Sequence, residues 1–175
     1  MTGSLVCPGA QWLAHCHPKP GRVHEQWEQD TFTALIPVGI RFDVLRVSQP
    51  LGLTLLWELG QDAEKIPVLE DHTPPRPAFC FLTRTGHLTT WPPATDAIVL
   101  ARGDELAVPS PAADAIDGVQ HHNLLWRTAP DGNGHVADPE TLHSALVRAR
   151  DPQRQTARIR AAHSAFWSSR QARGT

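Results

Sequence analysis

Among the charged residues in or beside apolar runs of this chain are Arg41, Asp43, Arg46, Arg102 and Asp104. They are where chemistry would be sought first. Guanidinium groups suit forked contacts to phosphate or carboxylate and need no metal to make them. The set therefore defines an expected pocket for an anion or nucleotide-like ligand. The plainer alternative is that these arginines are ion-paired with Asp43, Asp104 or Glu105. Nothing in the pattern assigns a catalytic residue, a metal ligand or a cofactor.

Other reactive side chains make weaker constellations. Cys7, His15, Cys16 and His17 offer zinc-type ligands, but neighbours such as Cys16 and His17 rarely close one tetrahedron and there is no C-x-x-C pair. His121 and His122 stand at the start of a strand-like run, where adjacent side chains point to opposite faces, so surface positions are expected. Ser110 lies between prolines, and the chain has no G-x-S-x-G, Walker A or G-x-G-x-x-G sequence.

The elements that must carry these residues follow from periodicity. LIPV (35–38) and FDVLRV (42–47) flank a turn at Gly39 and predict a hairpin of two strands. In the second run Phe42, Val44 and Arg46 share one face, while Asp43, Leu45 and Val47 share the other, so a central strand is expected. Leu51, Leu55, Leu56 and Leu59 recur at helical spacing up to Gly60, with Leu53 and Trp57 widening the apolar surface, which predicts a well-buried helix. Further strands are expected at 66–69, 78–83, 97–101, 105–108 and 123–127, and short helices at 11–16 and 23–29 with Pro18 to Gly21 as a breaker between them. Asp138-Pro139 and Asp151-Pro152 each pair an N-cap with a proline in the first turn, announcing two terminal helices. Because strands cluster instead of alternating with helices, the predicted class is α+β.

With 175 residues, the chain is long enough for one domain with a proper core. Three cysteines at irregular spacing argue against a disulfide framework and for a reducing compartment. No basic leader precedes a long apolar run and no stretch reaches spanning length, so a cytoplasmic protein with no membrane partner is expected. The usage, with 16 prolines and no tyrosine, resembles a high-GC bacterial coding sequence. The net charge of −2 conceals an asymmetry: residues 141–175 hold seven arginines against Asp151 alone, a charge of +6, which leaves −8 on the rest. Arg148, Arg150, Arg154, Arg158 and Arg160 are thus expected either to touch nucleic acid or to dock on the acidic body. The expected division is a globular unit over 1–150 and a basic helix or tail over 151–175.

The succession VGIRFDVLRVSQPLG, PVLED, AFCFLTRTG, ARGDELAVPSP and APDGNG resembles small high-GC bacterial proteins related to the N-terminal domain of bifunctional DNA primase/polymerases, over roughly Trp12 to Arg150. The resemblance implies a mixed sheet of RNA-recognition-motif type with flanking helices, joined to a second small module. In that family, clustered acids hold two divalent metals and a histidine meets the incoming triphosphate. Here Arg46 and Ser48 stand at the positions of the first acidic motif, Ala78 near that of the histidine and Ile98 near that of the last acid. A cation amid a metal cluster opposes dication binding. The leading expectation is accordingly a non-enzymatic, catalytically degenerate domain that works as a protein-interaction or regulatory module in a replication-related setting. The first alternative is a metal-dependent nucleotidyltransferase with relocated acids at Asp43, Asp96 and Asp104. The second is a DNA-binding accessory protein using the basic C-terminal helix.

Overall fold

The computed structural model describes residues 7–29, 32–88, 91, 95–112, 123–154, 156–157 and 159–161. Two short helices open the chain, α1 (Pro8–His15) and α2 (Pro20–Trp27). Each starts earlier than the sequence suggested because a proline occupies its first turn, where the missing N–H costs nothing. Strand β1 (Thr33–Pro37) and strand β2 (Asp43–Ser48) precede α3 (Gln49–Leu59), which Gly60 terminates and a 3₁₀ turn (Gly60–Glu64) extends. There follow β3 (Val68–Asp71), β4 (Ala78–Thr83), β5 (Ala97–Leu100), β6 (Glu105–Pro109), β7 (Leu124–Thr128) and α4 (Pro139–Ala149). Asp138 caps α4 by accepting a hydrogen bond from the Thr141 N–H. The described residues of 152–161 are helical, and the Asp151 carboxylate accepts from the Gln153 N–H.

The strands form a five-stranded antiparallel sheet, ordered β5-β2-β4-β3-β7, and a separate ribbon of β1 with β6. The predicted α+β class is therefore observed. The predicted hairpin is not: β1 pairs with β6, and β2 has β4 on one side and β5 on the other. With both edges of β2 occupied, β1 has no ladder to join. The intervening turn instead abuts the turn between β5 and β6, with the Val38 N–H donating to Asp104 O at 2.9 Å. Gly39 makes that approach feasible: its φ is +81°, and a Cβ there would lie 2.2 Å from the Arg102 nitrogen.

Because β2 runs through the middle of the sheet, each of its faces is covered. Phe42 and Val44 join Leu69, Cys80, Leu82 and Trp126 under α1, α2 and the β1-β6 ribbon. Leu45 and Val47 join Phe79 and Phe81 under α3 and α4. Burial of side chains of this size contributes about 1.5–3 kcal/mol each. Helix α3 rides close to the sheet because Gly52 faces the Phe79 ring. Its outer side is open: Leu53 is 52% and Trp57 is 73% exposed, which corrects the expectation that these two residues add to a well-buried surface. The sequence pattern counted apolar residues, but it did not show which side of α3 would face the sheet and α4.

Candidate functional site

Strand β2 places Arg46 and Ser48 on the same face, two residues apart. Register carries that face onto the adjoining strands, where Arg46 lies opposite Cys80 on β4 and Ile98 on β5, and Ser48 lies opposite Ala78. Arg46, Ser48, Ala78 and Ile98 thus form one patch across three strands. The Arg46 guanidinium donates to the Asp71 carboxylate at 2.7 Å from the end of β3, with both side chains mostly buried. Asp71 also accepts from the Thr73 N–H at 2.9 Å. Burial tends to raise the Asp71 carboxyl, but the hydrogen bonds from Thr73 and Arg46 prevail and hold it below the usual aspartate range. Burial likewise pushes the adjacent Cys80 thiol up to about 12, leaving it protonated and inert.

The remaining members of the expected anion pocket do not join Arg46. Asp43 is 2% exposed, faces the opposite side of β2 from Arg46, and accepts from the Gly86 N–H at 2.7 Å. Arg102 and Asp104 lie in the turn before β6 and line a shallow surface depression with Val38 and Ile40, while Asp104 accepts from the Ala101 N–H. Arg41 is exposed in the turn before β2. Arg46 therefore pairs with Asp71, and not with Asp43, Asp104 or Glu105. Strand parity was the signal available for that pairing: Asp71 ends β3 on the same face as Leu69, which lies opposite Cys80. Strand order, which the sequence did not supply, was needed to use it.

The basic C-terminal set is largely engaged by the body. Arg148 donates to the Glu58 carboxylate at 2.8 Å and to the Glu58 carbonyl at 3.3 Å. Arg150 makes a forked contact to Asp96 at 2.6 and 3.3 Å. Arg154 lies 3.9 Å from Glu58 and 3.7 Å from Asp151. Arg160 is exposed, and Arg158, His121 and His122 lie outside the described residues.

Of the cysteines and histidines around the first helix, His15, Cys16 and His17 make local hydrogen bonds. Cys16 Sγ donates to Trp12 O, the His15 ring nitrogen donates to Gln11 O, and the His17 ring accepts from the Lys19 N–H. Among the described residues, no group of three or more His, Cys, Asp or Glu side chains is arranged to hold a metal. None of the helices they form is long and apolar enough to cross a membrane. Compared with models of protein families, with characterised proteins and with solved structures, the chain has no significant match.

Proposed function

We propose that this chain is a primase–polymerase-like domain whose metal site has been replaced, and that it acts by binding, as a protein-interaction or regulatory module. The observation that carries the reading is the patch Arg46, Ser48, Ala78 and Ile98. By the resemblance, Arg46 and Ser48 stand at the positions of the first acidic motif and Ala78 and Ile98 near those of the histidine and the last acid, and the four are cross-strand neighbours on one face. Sheet order supports it as well. Strands β2 and β3, joined by α3, flank β4, and β5 lies outside β2, an order that resembles the split β-α-β part of RNA-recognition-motif sheets, with β7 added beyond β3. At the centre of the patch sits a cation neutralised by Asp71 and bordered by apolar side chains, a poor environment for two dications.

Nucleic acid binding is disfavoured over most of that sheet face, which α1, α2 and the β1-β6 ribbon cover, although Ile98 at its β5 edge is exposed. Binding through Arg148 and Arg150 would first have to break their contacts with Glu58 and Asp96. The test is calorimetry with nucleoside triphosphates in magnesium or manganese, alongside extension of a primed template. The expected outcome is no metal-dependent heat and no extension. Extension by wild-type protein that is lost in Asp43→Asn would overturn the proposal in favour of an enzyme with relocated acids.

A further inference from the structure

A cleft of about 530 Å³ lies between the 3₁₀ turn after α3, the loop after β7 and the first turn of α4. Leu59, Ile66, Val136 and Leu142 give it an apolar floor. Its rim carries the carboxylates of Asp62, Glu64, Asp131 and Asp138, against Lys65 and His135. Asp138 is committed to capping α4 and to Arg84. Asp131 is oriented by the Asn133 N–H at 2.7 Å and by the His135 ring. Asp62 reaches Lys65 at 3.4 Å, with both side chains exposed, a contact that a stronger partner displaces readily. Glu64 stands exposed beside them.

Hydrocarbon below and carboxylates above suit a side chain with an apolar stem and a cationic head. We infer that this cleft seats a basic, amphipathic peptide segment of a partner protein, its aliphatic groups on Leu59, Ile66 and Leu142 and its guanidinium or ammonium groups among Asp62, Glu64 and Asp131. Around the cleft four carboxylates stand against Lys65 and His135, a local excess of negative charge that favours a cationic partner. The inference rests on the reading of the chain as a binding module and names the chemistry of one partner.

The test is fluorescence anisotropy of a labelled peptide of alternating leucine and arginine against the full chain. The expected result is saturable binding that weakens about tenfold in the double variant Asp62→Asn with Glu64→Gln. It should weaken similarly in Ala129→Arg, which adds a cation at the exposed rim. Trp57→Ala, on the open side of α3, should leave it unchanged. Equal affinity in the rim variants would overturn the cleft as the site while leaving a binding module in place. Equal affinity for the peptide with glutamate in place of arginine would overturn the charge complementarity. No saturable binding at all would overturn the inference, whereas the binding-module reading itself stands or falls on the separate nucleotide and extension assay.

Discussion

Arg46 and Asp71 hold each other at 2.7 Å where neither is fully hydrated, so neither can be removed without exposing the cost of the other. Arg46→Ala should destabilise the fold by about 1–3 kcal/mol, read as a lower urea midpoint at an unchanged slope. The pair also sets an acid limb. Because the folded Asp71 carboxyl titrates below its ordinary value of 3.8, its contribution is complete above that value and is lost as pH falls through the folded one. Stability should therefore drop below about pH 4, and Asp71→Asn should show a shallower drop in denaturation followed by circular dichroism. The thiols make a separate test. Burial pushes Cys16 and Cys80 up to about 12, with Arg41 and Arg46 respectively opposing the shift, while Cys7 is half-buried. A thiol-reactive disulfide reagent at mildly alkaline pH should modify Cys7 alone in the native protein and all three cysteines in urea.

At the scale of elements, the tightest constraint is α3 on β4. A Cβ added at Gly52 would lie 2.4 Å from the Phe79 ring, so Gly52→Ala should cost about 1–3 kcal/mol through overpacking. Combining it with Phe79→Leu should cost less than the two single changes summed, because the ring is what the methyl group meets. Asp138→Ala removes the acceptor at the start of α4 and should cost about 1 kcal/mol in thermal denaturation. The same elements show why local pattern was informative. Prolines in the first turns of α1, α2, α3 and α4 and the glycine after α3 are chemical punctuation that a single sequence displays. The misplaced start of α2 came from reading Pro20 as part of a breaker, although in a first turn it is favourable, and the start of α1 was missed because Pro8 was not used as a first-turn signal.

On the scale of the molecule, two apolar layers lie on opposite faces of one sheet, and β2 is shared by both. Unfolding should be a single transition, since neither layer keeps its sheet surface without the other. Among the described residues after Asp151, Arg154 lies 3.9 Å from Glu58, a contact worth well under about 1 kcal/mol, and the largely exposed Ile159 borders a depression beside Pro50, Leu51 and Thr54. A chain ending at Arg150 should therefore keep its cooperative transition with only a small loss of melting temperature. A large loss would show that residues 151–175 belong to the folded unit.

By itself the sequence determined the α+β class, the near positions of most elements, the two-sided burial of the 42–47 strand and the charge asymmetry, because each depends on neighbours a few residues apart. It could not determine that β1 leaves β2 for β6, that Arg46 finds Asp71, that Trp57 stays exposed, or that the acids around Asp131 rim a cleft. Those outcomes depend on which strand fills each edge and which face a neighbour covers. They are settled by contacts between residues distant in the chain, for which periodicity and spacing carry no signal.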